Sequence, residues 1–182
     1  LEGILISAEL GKVTLISYNL EMGMKKEIYA KCEEAGDIVV NARLLADILR
    51  RMNGLQVTIE ADDKLNCHIK CGETTFDIMG MAAEDFPEMP TVGSDKSIVI
   101  DADIFSEMVK GTIFAVAQNE GAKPILTGIY VTIEDRILRF VAIDGYRLAI
   151  RRHNIDIEGS FSFILSGRAV GEAVKLIDEE TE

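Results

Sequence analysis

The sequence predicts an α+β fold in which one module is used twice, and three observations predict it. The first is Asn41–Gly54 (NARLLADILRRMNG), where Leu44, Leu45, Ile48, Leu49 and Met52 make the apolar stripe of a half-buried helix. The second is Ser166–Ile177 (SGRAVGEAVKLI), where Ala169, Val170, Ala173, Val174 and Ile177 repeat that stripe 125 places later. The third is a run of short alternating strands ahead of each helix. Asn41 and Ser166 stand at the caps, and Asn53-Gly54 offers a residue tolerant of positive φ to end the first helix. Opposite the first stripe lie Arg43 and Arg50, two turns apart, with Arg51 beside them. Arg168 and Lys175 take the matching basic positions, and the acid between returns as well, Asp47 as Glu172.

Taken in order, Gly3–Ala8, Val13–Ser17, Glu27–Cys32 and Asp37–Val40 read as strands separated by Gly11, Asn19 and the turn at 33–36. After the first helix, Gln56–Glu60, Asn66–Cys71 and Thr74–Met79 are three more alternating strands. Ala82–Ser94, rich in Pro, Gly and small residues, is the stretch where a linker is expected. Beyond it, Ser97–Ile100 and Ile113–Ala117 read as strands around a helix at Asp103–Gly111, capped by Asp101 or Asp103. Leu126–Ile133, Ile137–Ile143 and Tyr146–Arg151 follow, the last two joined by Asp144-Gly145, the signal for a type I′ hairpin. Phe161–Leu165 leads into the second helix.

Leu1 laid on Leu126 keeps register without a gap to Met52 on Ile177. Glu9 meets Glu134, Leu15 meets Phe140, Asn19 meets Asp144 and Arg43 meets Arg168. Matched apolar positions carry the repeat, since identity between the halves is near chance. The repeat also predicts a counterpart of Ser97–Ile125 before Leu1 and of Gly54–Pro90 after Glu182, so the sequence reads as the interior of a longer polypeptide.

With 182 residues and 48% apolar content, the chain can bury one large core or two small ones. No apolar run reaches the roughly 18 residues of a membrane span, and no secretion signal is visible. Three cysteines do not make a disulfide framework and suit a reducing cytoplasm. A formal charge of −12 argues against nucleic acid. The acids, however, gather at Glu33-Glu34, Asp62-Asp63, Glu84-Asp85 and Asp178–Glu182, where turns and ends are expected, while the two helices carry bases.

Cys67-His68-x-x-Cys71 has a metal-like look, but on a strand the two thiols stand about 13 Å apart and His68 points the other way. They cannot close on one zinc ion, so no metal or other cofactor is expected. Asp101, Asp103, Glu84, Asp85 and Asp144 each have a capping, loop or turn role. No nucleophile triad, Walker loop or GxGxxG is present, and the chain is expected to be no enzyme. Gly145-Tyr146-Arg147 departs from its counterpart, Leu20-Glu21-Met22. An aromatic and an Arg at a turn beside Ile143 and Leu148 have the composition of a peptide-binding hot spot. An ordinary hairpin whose Tyr caps the core has the same composition.

Leu1–Ser7 (LEGILIS), Gly36–Ile48 (GDIVVNARLLADI), Ala83–Pro87 (AEDFP), Lys123–Gly128 (KPILTG) and above all Leu138–Ala149 (LRFVAIDGYRLA) carry a resemblance. The chain resembles the beta subunit family of bacterial DNA polymerase III, the sliding clamps, with Ile143 where Thr is usual and Tyr146 where His is usual. The resemblance implies the DNA-clamp fold, with outer antiparallel sheets and inner helices. It implies a first domain at 1–90 lacking its opening strand and helix, a linker at 91–96, an incomplete second domain at 97–182, and a third domain absent. It implies a cytoplasmic, non-catalytic processivity factor whose head-to-tail homodimer encircles double-stranded DNA without reading its sequence. Arg43, Arg50, Arg51, Lys123, Arg168 and Lys175 would face the DNA. Leu126, Ile143, Gly145, Tyr146, Arg147 and Leu148 would form part of a pocket for short motifs of the polymerase III catalytic subunit, the clamp loader and repair proteins. Thr74, Thr75, Phe76, Asp77 and Ile78 would pair across the ring interface by strand addition. The competing expectation is an acidic oligomeric scaffold that binds peptides and never touches nucleic acid.

Overall fold

Strands of seven, seven, seven and six residues, β1 (Gly3–Glu9), β2 (Lys12–Tyr18), β3 (Gly23–Tyr29) and β4 (Gly36–Asn41), open the chain. They form an antiparallel sheet in the order β3-β2-β1-β4 in the computed structural model, which describes residues 2–91, 97–118, 121 and 123–180. Helix α1 (Ala42–Arg51) follows, and then β5 (Thr58–Ala61), β6 (Asn66–Cys71) and β7 (Thr74–Met79) form a three-stranded sheet. Ile6, Ile38 and Val40 from the first sheet, Leu45 and Ile48 from α1, and Cys67, Ile69 and Ile78 from the second sheet share one core. Removing these side chains from water is the main force holding the layers together.

The chain divides into two units, Leu1–Val92 and Gly93–Glu182. The second holds α2 (Ala102–Lys110), then β8 (Gly128–Glu134), β9 (Ile137–Ile143), β10 (Leu148–Asn154), β11 (Phe161–Ser166) and α3 (Gly167–Glu180). Its sheet runs β10-β9-β8-β11, and its core is built around Phe140, Leu138, Ile129 and Ile133, each at most 1% exposed. Phe105 of α2 meets Phe140 edge-on, with ring centroids 6.0 Å apart.

The duplication is present in the backbone. Each of β8, β9, β10, β11 and α3 begins 125 residues after β1, β2, β3, β4 and α1, and the two sheets have the same strand order. Register is preserved too: Leu5 faces Ile16 as Tyr130 faces Val141, and Tyr18 faces Gly23 as Ile143 faces Leu148.

Several local expectations are corrected. The third strand is Gly23–Tyr29 rather than Glu27–Cys32, because pairing with β2 resumes directly after the Asn19 loop. Ile113–Ala117 holds a 3₁₀ turn at Ile113–Ala115, and Ser97–Ile100 pairs with no strand while Ile98 and Ile100 pack on the core. Short apolar runs do not distinguish a strand from other buried segments. Leu126 ends a 3₁₀ turn, Pro124–Leu126, and the strand starts at Gly128. Helix α1 ends as Met52 turns extended at φ −81°, with neither Asn53 nor Gly54 at positive φ. Asp101 occupies the first cap position of α2 without a side-chain cap bond.

The linker expected at 91–96 lies, apart from Thr91, outside the described residues. Much of Ala82–Thr91 is bound to the first unit. Met81 bridges Val39, a 3₁₀ turn spans Ala83–Asp85, and Phe86 is only 8% exposed.

Candidate functional site

Helix α1 owes its start to Asn41, whose side-chain oxygen accepts from the Leu44 N–H at 2.9 Å. Leu45 and Ile48 then fall on the core side, while Leu44 and Leu49, expected in the stripe, are 46% and 38% exposed. They flank the buried line rather than lie on it. In the second unit α2 lies against α3, and Val174, the counterpart of Leu49, is 6% exposed.

Away from the core, Arg43, Arg50 and Arg51 on α1 and Arg168 and Lys175 on α3 are all exposed. Arg50 meets Asp47 at 3.6 Å and Lys175 meets Glu172 at 2.8 Å, both one turn apart, so the duplication extends to an ion pair. Such exposed pairs are worth little, on the order of 0–1 kcal/mol. They leave the cations free to turn to another anion. Position 176, opposite Arg51 in the repeat, is Leu176, so the match is four bases and not five. Lys123 is exposed beside the Pro124–Leu126 turn.

At the β9–β10 end of the second sheet, the expected two-residue type I′ turn is instead a four-residue loop, Asp144–Arg147. The backbone N–H groups of Tyr146 and Arg147 donate to Asp144 Oδ1 at 2.9 and 2.8 Å. This Asx arrangement draws both residues into the loop, and Gly145 takes φ +93°. Arg147 Nε and Nη2 donate to Asp144 Oδ2 at 3.0 and 2.9 Å. The Tyr146 and Arg147 amides, then the guanidinium, hold the Asp144 carboxyl down to about 2. The two-residue turn with both φ positive is at Asp135-Arg136, between β8 and β9.

Asn19 does in the first unit what Asp144 does in the second. Its Oδ1 accepts from Glu21 and Met22 at 3.1 and 2.7 Å, and Leu20 takes φ +72° where Gly145 stands. The Gly145–Arg147 departure is therefore one of side chains on a shared loop backbone.

Tyr146 is 98% exposed, so it does not cap the core; Leu148 is 60% and Ile143 41% exposed. Ile143 and Leu148 are direct cross-strand partners, and Leu126 lies two residues before β8 at the same end of the sheet. Ile125, 62% exposed on the 3₁₀ turn, is a further apolar group there that sequence reasoning missed. Its signal was the Pro at 124, which suits the first position of a helical turn rather than a strand.

Strand β7 is an edge of the β5-β6-β7 sheet. Thr74, Thr75, Phe76 and Asp77 are exposed, whereas Ile78 faces the core. Asp77 Oδ1 is 2.5 Å from His68 Nδ1, and that hydrogen bond holds the imidazole above its ordinary 6.5. Cys67 and Cys71 are buried on the opposite face from His68, as strand alternation requires. Among the described residues no three His, Cys, Asp or Glu side chains group around a metal position, and no helix is long and apolar enough to cross a membrane.

Two copies of one α+β module, each with exposed bases on its helix in a strongly acidic chain, define a class of duplicated α+β proteins. The chain belongs to the DNA polymerase III beta subunit family: residues 1–90 match its N-terminal domain and residues 99–182 its central domain. It is 34% identical over 178 residues to the beta sliding clamp of Micrococcus luteus, covering 96% of this chain and 56% of that one. The sliding clamp structure from Bacillus subtilis superposes with a TM-score of 0.88 at 27% identity, over 97% of this chain and 49% of that one. The beta subunit structure from Thermotoga maritima gives 0.86 at 28% identity, over 100% and 49%. The chain thus spans about half the length of the relatives it matches.

Proposed function

We propose that this chain is part of a sliding clamp, a non-catalytic cytoplasmic ring that encircles duplex DNA and tethers the replicative polymerase. The observation that carries the reading is the repetition of exposed cations at Arg43 and Arg168 and at Arg50 and Lys175, set by the same helix in two units. With Arg51 and Lys123 they offer weak, sequence-independent attraction to phosphates. Topology does the holding, which reconciles a charge of −12 with DNA as a partner. The edge strand β7 suits pairing across a homodimer interface through Thr74–Ile78. The loop at 144–148, with Leu126, suits short apolar and aromatic motifs of the polymerase, the clamp loader and repair proteins. The boundaries 1–90 and 97–182, joined through 91–96, would then be the first two domains of the protomer.

Reversing Arg43, Arg50, Arg168 and Lys175 to Glu in the ring-forming protein tests the reading. The ring is expected to persist by sedimentation while polymerase stimulation is lost and the salt dependence of DNA association flattens. Unchanged processivity at physiological salt would refute it, and an acidic peptide-binding scaffold would show no salt-dependent DNA association in either form.

A further inference from the structure

The face of the β5-β6-β7 sheet turned away from the core carries an imidazole among carboxylates. Strand pairing sets Glu60 of β5 directly opposite His68 of β6, and His68 directly opposite Asp77 of β7, so the three form one row across the sheet. His68 Nδ1 lies 2.5 Å from Asp77 Oδ1, and the Asp62 carboxylate, just after β5, adds its charge to that of Glu60. Asp62 is held there by the Asn66 backbone and side-chain N–H groups, which donate to it at 2.8 Å each. The cation on this face of β6 is Lys70, two residues along, and it stands opposite Thr58 and Thr75 rather than acids.

The row matters because β7 is an edge of its sheet. Asp77 is the outermost member, with its side chain 68% exposed. A strand added along β7 brings a side chain to about 5 Å from it. A charge on an edge strand opposes such pairing, and a second copy of this chain arrives with its own charge of −12. Protonated His68 cancels the Asp77 charge. The neutral ring can give Asp77 a hydrogen bond but no charge.

We propose that the Glu60–His68–Asp77 row is a pH-sensitive gate on the edge strand: β7 accepts a strand of a second copy more readily with His68 protonated than with His68 neutral. The proposal rests on the reading of Thr74–Ile78 as the homodimer edge and adds a means of regulating it. An acidic partner raises the proton affinity of the ring further, and by linkage the proton raises the affinity for the partner. Asp77, then Asp62 and Glu60, already hold the imidazole above its ordinary 6.5. Pairing is therefore strongest at and below 6.5 and weakens as pH climbs through the raised value.

Sedimentation of the ring-forming protein from about pH 6 to about pH 8.5 is expected to show dimer affinity falling several-fold, with the His68 midpoint from imidazole NMR inside that fall. His68→Gln, neutral throughout, should hold the weak affinity at every pH, and His68→Lys, charged throughout, the tight one. A parent with no fall overturns the gate, and so does a fall that survives in either variant. Asp77→Asn removes the charge to be cancelled, so the His68 midpoint should drop; an unmoved midpoint also overturns the proposal. Phe76→Ala on β7 separates the two readings. If it weakens the dimer while the parent ignores pH, β7 is the interface and only the gate fails. If it leaves the dimer unchanged, the Thr74–Ile78 reading fails and takes the gate with it.

Discussion

Asp144 does most for the candidate peptide seat, and its sequence signal, Asp144-Gly145, pointed to a two-residue turn rather than to the loop it builds. It accepts two backbone amides and both arms of Arg147, so the loop depends on its charge. Because its folded pKa of about 2 lies below the ordinary 3.8, its contribution is complete above 3.8 and lost as pH falls through 2. Carboxyl NMR should give a midpoint near that value, and an ordinary midpoint would mean the loop is open in solution. Asn19 builds the same loop without titrating, so the first unit's copy should show no such transition. Tyr146→Ala and Arg147→Ala should each weaken peptide binding by about 1–3 kcal/mol, the scale of an interface anchor. Calorimetry checks this. Arg147 differs from Tyr146 in that Asp144 already orients it, so less entropy is lost when a ligand meets it.

Among the elements, α1 was the most legible in the sequence, down to its cap, and its buried line was predicted too wide. Asn41→Ala removes the acceptor of the Leu44 N–H and should cost about 0.5–2 kcal/mol, read from the denaturant midpoint. An unchanged midpoint would show that packing of Leu45 and Ile48 alone fixes the helix start. The strands were placed well wherever alternation ran long, as in β6, β7 and β9, which have the bounds their patterns gave. They were misplaced where pairing sets the ends. Strand β3 is exposed along its whole length, so no burial pattern marks it, and only its ladder with β2 does. Ile113–Ala115 failed for the opposite reason: it is apolar and close to the core, but its backbone bonds close locally in a 3₁₀ turn.

For the molecule as a whole, the offset of 125 residues is the organising fact, and it explains how an acidic chain carries exposed bases at matching positions of two helices. A helix has one face against its sheet and one face outward, so repeating the helix repeats the outward charge. The charge-reversal variant described above belongs at this scale, because its effect should exceed that of any single cation. On the proposed reading each phosphate contact would be weak, and its release of counterions would add to the others. The sequence by itself determined the fold class, the gapless repeat, the basic positions and the family resemblance, since apolar periodicity and residue order are local properties that survive without contacts. Tertiary structure alone decided where strands stop, that the Asp144 and Asn19 loops are one device, and that Tyr146 stands in solvent. Those outcomes depend on which backbone donors find acceptors in the loops and across the sheet, and that is not written in a run of neighbouring letters.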